Sequence, residues 1–349
     1  MLAGTLLACA AVALAYFAWR GTQLVQLPIV LDGDYLMTRD DELGFVATPN
    51  GSTVLRNVET DARFHIFTDR RGARVDAAGE QTGPTVDVMA LGCSFTWGSG
   101  IESQQTWVQQ FHALTGASVA NFAMGSYGSV QSLLLLMRNA DLKPKVVVYG
   151  FIPDHIRRNV NPCAPNFLPY CLPVAYLQRQ GDQIVLRPPP TEVFSVEENR
   201  DFMRDVATRP LDGPAALWLR TKWAATIAYR TWLDRTVGVD RSPETATHAL
   251  RAMVSAMAEE SRKIGAKFVV VNMPYLTRGQ LGPMPPELVT AIAGLDLTLV
   301  DFAPVAAAWY AAHPTGSLVL DDDPHPNPAA QRMIAETVAT AVRPLLEAR

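Results

Sequence analysis

The 349-residue sequence predicts an α/β fold: a three-layer α/β/α sandwich built on a doubly wound parallel sheet. Two observations carry the prediction. From Val86 onward, short apolar runs rich in Val, Ile, Leu and Phe alternate with longer amphipathic stretches. The runs also lack the polar alternation of half-solvated strands, as expected where both faces of a parallel sheet are covered by helices.

The elements follow in order. Met1 to Trp19 carries no charged side chain and reads as one apolar helix. At 1.5 Å per residue it spans about 28 Å, close to a hydrocarbon core, and Tyr16, Trp19 and Arg20 resemble an interfacial boundary. It is expected to be a membrane anchor over residues 1–20. A cleaved signal peptide ending near Ala13-Leu14-Ala15, or a lipoprotein signal ending at Cys9, is the alternative. Residues 21–85 hold short apolar stretches, such as Leu43-Gly44-Phe45-Val46 and Arg63-Phe64-His65-Ile66-Phe67, broken by Gly, Pro, Asn and Asp. They read as an irregular β-rich lead-in, with a turn over Thr68–Arg74.

The main domain is expected over 86–349. Its strands are predicted at Val86–Leu91, Ser118–Phe122, Val146–Ile152, Lys267–Asn272 and Leu297–Phe302. Helices are predicted at Gln104–Leu114, Val130–Arg138, Ala246–Ile264 and Pro286–Ile292, with a last one capped by Asn327 and opened by Pro328. Between about 155 and 240 the alternation stops. A Pro-rich loop, a hairpin around Gln180-Gly181-Asp182 and helices rich in Trp and Arg read as an insertion at the carboxyl edge of the sheet. Cys163 and Cys171, eight apart in that loop, would suit a disulfide outside the cytoplasm or otherwise stand as two unpaired loop thiols.

With 18% charged and 48% hydrophobic residues and a net charge of −4, the composition is globular and excludes a disordered chain or a nucleic-acid partner. No Gly-x-Gly-x-x-Gly or P-loop follows a strand, so no nucleotide cofactor is implied.

Two segments carry chemistry. Gly92-Cys93-Ser94-Phe95-Thr96-Trp97-Gly98 leaves the first parallel strand on a sharp turn, and so places a serine hydroxyl where open α/β sheets bind ligands. Near the other end, Asp322-Asp323-Pro324-His325-Pro326-Asn327 offers a carboxylate and an imidazole three residues apart. A serine needs a base to remove its proton, and the base needs its second nitrogen held by a carboxylate. The competing readings of this loop are a solvated helix lead-in, or a hard-cation site from Asp321, Asp323 and His325.

In the order and placement of these motifs the chain resembles the SGNH (GDSL) serine esterases and acyltransferases, a family with a flavodoxin-like sheet. The resemblance implies Ser94 as nucleophile, His325 as base and Asp322 as its orienting acid. Asn121-Phe122-Ala123-Met124-Gly125-Ser126-Tyr127-Gly128 matches the second family segment, which implies that Gly125 N–H and Ser94 N–H form the oxyanion hole. Two positions depart from the family. Cys93 replaces the usual Asp. In Gly150-Phe151-Ile152-Pro153-Asp154-His155, Pro153 stands where an Asn donor belongs, and the loss of one oxyanion donor costs about 10²–10³ in rate. His155 is the expected substitute, ahead of Asn159 and Asn161, because a neutral imidazole can donate.

The expected activity is a serine esterase or O-acyltransferase on acyl esters, acetyl above all, of a cell-envelope or exopolysaccharide glycan. Trp218, Trp223 and Trp232 in the insertion are candidates for stacking on sugar rings. The alternatives are a lipid or lysophospholipid esterase, and a catalytically weakened glycan-binding or scaffold protein.

Overall fold

The computed structural model describes residues 2–22, 29–57, 61–164, 172–190, 196–202, 217–218, 221–226, 228, 239–321 and 323–347. The chain opens with α1 (Leu2–Thr22), then β1 (Ile29–Gly33), β2 (Met37–Asp40), β3 (Gly44–Ala47), β4 (Ser52–Asn57), β5 (Arg63–Thr68) and β6 (Arg74–Val75). The main domain begins with β7 (Val88–Gly92), α2 (Ser94–Trp97), α3 (Trp107–Thr115), β8 (Val119–Asn121), α4 (Ser129–Arg138), β9 (Val146–Phe151) and α5 (Asp154–Arg158). The insertion contributes β10 (Cys163–Ala164), β11 (Leu172–Pro173), the hairpin β12 (Tyr176–Gln180) and β13 (Gln183–Arg187), and α6 (Val196–Phe202). The sequence closes with α7 (Pro243–Lys263), β14 (Lys267–Asn272), α8 (Pro286–Ile292), β15 (Thr298–Asp301), α9 (Ala303–Ala312), β16 (Val319–Leu320), β17 (Asp323–Pro326) and α10 (Pro328–Glu347).

The parallel strands lie in the spatial order β8-β7-β9-β14-β15, which in chain order is second, first, third, fourth, fifth. This doubly wound arrangement has a switch point between its first and third strands, here β7 and β9, and ligands bind outside the carboxyl ends of the strands there. Each central strand splits its side chains between two cores, as the two-residue period requires. Met89, Leu91, Val147, Tyr149 and Val270 pack with Leu134 of α4, Leu250 of α7 and Leu288 of α8. Val88, Ala90, Val146, Val148, Val269 and Val271 pack on the other face with Phe111 of α3, Ala306 of α9 and Ile334 and Val338 of α10. The result is the predicted α/β/α sandwich.

The lead-in is more integrated than its composition suggests. Arg74 of β6 pairs antiparallel with Asn121 of β8, and β5, β4 and β1 follow outward, so one mixed sheet of nine strands runs from β1 to β15. Phe45, Phe64 and Ile66 enter the same core as Leu134. The predicted hairpin around Gly181 is present as β12 and β13. Helix α9 escaped the sequence reading, because an alanine-rich stretch shows little apolar periodicity.

Among the described residues no helix is long and apolar enough to cross a membrane. The expectation of a spanning anchor therefore gains no support. Cys163 is disulfide-bonded, Cys9 and Cys93 are free, and Cys171 lies outside the described residues.

Candidate active site

Strand β7 ends on two facing glycines. Gly92 pairs in register with Gly150 of β9 and has φ +144°. A Cβ on Gly92 would sit 2.7 Å from the Gly150 carbonyl oxygen, and one on Gly150 would sit 2.2 Å from Thr96 Oγ1. Both positions thus exclude a side chain, and Thr96 lies in the slot between the strands. The chain turns there, and Thr96 N–H and Trp97 N–H donate to Cys93 C=O over 3.0 and 2.8 Å. Ser94 opens α2 with 7% of its surface exposed.

Three supports hold this turn. Arg74 is fully buried and donates to the carbonyls of Trp97, Gly98 and Ile101, each over 2.6 Å. Burial pulls its guanidinium down to about 10, still charged at neutral pH. From α10, Gln331 donates to Phe95 C=O at 3.0 Å and accepts from Trp107 N–H at 2.7 Å. From β8, Asn121 Nδ2 donates to Thr96 C=O at 3.0 Å. Cys93 is wholly buried, and burial pushes its thiol up, with Arg158 pulling the other way. A buried neutral thiol is a poor nucleophile.

The imidazole comes from the other end of the chain. His325 sits on β17 with 8% of its surface exposed, and its ring meets Phe95 edge-on at 5.5 Å between centroids. It is therefore beside the residue that follows Ser94, at the same edge of the sheet. Asp323 Oδ1 contacts His325 Nδ1 and also accepts the His325 backbone N–H at 2.9 Å. Burial raises the Asp323 carboxyl, but the hydrogen bond and charge of His325 outweigh it and hold the group below its ordinary value. Asp322, the acid implied by the motif resemblance, lies outside the described residues. As predicted, Asn327 caps α10, its Oδ1 accepting Ala330 N–H at 3.0 Å.

The loop after β8 faces the serine turn, with Met124 N–H donating to Gly92 C=O at 3.2 Å. A Cβ on Gly125 would meet nothing within 4 Å, so this backbone borders open space. Ser126 is left-handed, with φ +69°, and Tyr127 anchors the loop through its hydroxyl on Phe45 C=O at 2.6 Å.

The third segment corrects the sequence reading. His155 is fully buried rather than turned to the crevice. Its Nδ1 lies 2.6 Å from Tyr149 Oη, and Tyr149 Oη lies 2.7 Å from Ser129 Oγ. Burial, helped by the charge of Arg158, holds the imidazole well below its usual 6.5, so it is neutral. It shares a hydrogen bond with the tyrosine hydroxyl at Nδ1, and Nε2 has no partner among the described residues. Asn159 is consumed by the same network: its Oδ1 accepts Ser129 N–H and its Nδ2 donates to Ser129 Oγ. Asn161 Oδ1 is buried without a partner among the described residues.

What does stand beside Pro153 is an ionic bracket that the sequence reading missed. Asp154 Oδ1 accepts from Tyr275 Oη at 2.8 Å and from Arg157 at 3.2 Å, and Oδ2 accepts Arg158 Nη2 at 3.2 Å. Arg158 Nη1 donates to Tyr127 C=O at 2.9 Å. The sequence held only one signal of this, a run of charge directly after the departing Pro153. In the insertion, Trp218 is 65% exposed, Trp223 is buried, and Trp232 lies outside the described residues.

No family model matches the chain, and a comparison with curated proteins finds no match. Solved structures do resemble it. A lipolytic protein of the G-D-S-L family from Desulfitobacterium hafniense is 13% identical over 72% of this chain and 97% of its own, with a TM-score of 0.36. The psychrotrophic esterase EstA from Pseudoalteromonas sp. is 12% identical over 76% and 100%, with a TM-score of 0.36. An acetyl-xylooligosaccharide esterase from Geobacillus is 11% identical over 76% and 96%, with a TM-score of 0.39. All three are esterases or lipolytic proteins. Likeness at this level carries no argument about the chemistry of this chain, which rests on its own residues.

Proposed function

We propose that the protein is a serine esterase or O-acyltransferase of the SGNH type, acting on acyl esters, acetyl above all, of an envelope or extracellular glycan. The observation that carries the reading is His325. Its Nδ1 is held by a carboxylate, its ring rests against Phe95, and the serine turn lies at the switch point of the sheet. In this reading His325 Nε2 removes the Ser94 proton as Oγ attacks the ester carbonyl, and Asp323 stabilises the imidazolium that forms. Asp322 is the alternative acid. The negative oxygen develops toward the N–H groups of Ser94 and Gly125. His325 then protonates the departing sugar oxygen, and water or a second alcohol takes the acyl group from Ser94.

The exposed Trp218 in the insertion supports a carbohydrate substrate, since an indole face suits a sugar ring. The bonded Cys163 supports work outside the cytoplasm, with α1 as tether or leader. One observation favours the weakened-enzyme reading: with Pro153 in place and His155 buried, the sequence-derived side-chain donor is gone.

The test is fluorophosphonate labelling located by mass spectrometry, with p-nitrophenyl acetate turnover alongside. Labelling at Ser94 that is lost in Ser94→Ala and His325→Ala supports the esterase, and a folded protein without labelling favours the binding or scaffold reading. An acceptor sugar that diverts acyl groups from water identifies a transferase.

A further inference from the structure

We infer that Arg158 is a positioning residue for the oxyanion loop, bracing it from the segment in which Pro153 cannot supply a donor. The inference rests on the esterase reading above and adds a residue to it.

Arg158 bridges the two loops that face the serine turn. Nη1 holds Tyr127 C=O, two residues beyond Gly125, and Nη2 holds Asp154, the residue after Pro153. Between Gly125 and Tyr127 the backbone passes through left-handed Ser126, a strained conformation that an L-residue keeps only where the surroundings enforce it. The Tyr127 carbonyl bond is one such enforcement, and it fixes which way the Gly125 amide points. Asp154 is itself tied to Tyr275 after β14, so the bracket is anchored on a second strand end.

The bracket also carries a charge. The Arg158 side chain is 12% exposed, and its Nε is buried with no partner among the described residues. Its positive charge is felt at Cys93, next to Ser94 in the chain, and exceeds there the opposing charge of its partner Asp154. A fixed cation in a poorly hydrated site favours negative charge developing nearby, without reorganisation during the reaction. The guanidinium supplies both effects because its planar fork reaches two acceptors at once. A lysine ammonium keeps the charge and loses one arm.

The experiment compares Arg158→Gln and Arg158→Lys with the parent protein. It measures kcat and KM for p-nitrophenyl acetate and the rate of fluorophosphonate labelling at Ser94, together with the thermal midpoint. Arg158→Gln is expected to lower kcat and the labelling rate about 10²-fold while KM moves less than threefold. Arg158→Lys recovers about a tenth to a third of the parent kcat, as retained charge predicts. Should the Gln variant fail to fold, the Lys variant decides alone through the same kcat-against-KM split. Parent-like kcat in either folded variant, or a loss confined to KM, overturns the positioning role and leaves the esterase standing. A parent protein that shows no Ser94 labelling overturns both.

Discussion

Two histidines flank the switch point, and the structure treats them in opposite ways. His325 lies on a short hairpin at the edge of the crevice, with a carboxylate on Nδ1 and a small part of its surface open. His155 lies on α5 with none of its surface open and a tyrosine hydroxyl on Nδ1. Both are imidazoles held at one nitrogen, yet only one has a carboxylate as its partner. An imidazolium at His325 would form beside Asp323, whereas one at His155 would form fully buried beside Arg158. A histidine becomes a base by having a carboxylate behind it and open space ahead of it. Burial next to a cation makes it a packing and hydrogen-bonding group instead.

The sharpest way to break this contrast is to remove each ring. His325→Ala is expected to lower kcat for p-nitrophenyl acetate by about 10⁴-fold or more. His155→Gln, which keeps a polar partner for Tyr149, should change kcat less than threefold. Similar losses in the two folded variants would mean that His155 reaches the reacting atoms after all.

The next largest effect concerns the acid behind His325. Asp323→Asn is expected to lower kcat about 10³–10⁴-fold, because an amide leaves the imidazolium unpaired and favours the wrong tautomer. Asp322→Asn should cost less than tenfold. Steady-state kinetics on the two variants, with folding checked by circular dichroism, reads the order directly, and the reverse order would move the acid to Asp322.

The same contrast shows which parts of the site are legible in a sequence. Strands buried on both faces announce themselves as apolar runs, so β7, β9 and β14 are placed nearly to the residue. Gly92 and Ser94 follow because a turn without room for a Cβ needs glycine. Groups that meet only through the fold are not legible. Tyr275 and Asp154 lie 121 positions apart, and nothing local marks either as the other's partner. Arg74 reads as the end of a polar turn, yet antiparallel pairing with β8 carries its side chain under the serine loop. The burial of His155 is hidden for a related reason: spacing from Pro153 gives its distance along the chain, while burial is decided by the face of α5 it occupies.

The smallest expected effect tests the buried side of the comparison through stability. In the folded protein burial keeps His155 neutral below its ordinary 6.5, whereas in the unfolded chain it titrates at that ordinary value. Between 6.5 and the lower folded value, the unfolded state binds a proton that the native state refuses. The difference in bound protons is therefore about +1, and stability rises with pH by about 1.4 kcal/mol per unit. The contribution is fully present above 6.5 and is lost progressively as pH falls below it. Asp154 and Asp323, whose carboxyls are held below 3.8, contribute stability above about pH 4 and lose it only under stronger acid, outside this window. Urea unfolding of the parent and of His155→Gln at pH 5.0, 5.5, 6.0, 6.5 and 7.5 isolates the histidine. The variant is expected to be less stable at pH 7.5, because Gln fills the pocket imperfectly, and to close the gap toward pH 5. Parallel curves would show that His155 takes up its proton in the folded state, and the distinction drawn between the two histidines would fall.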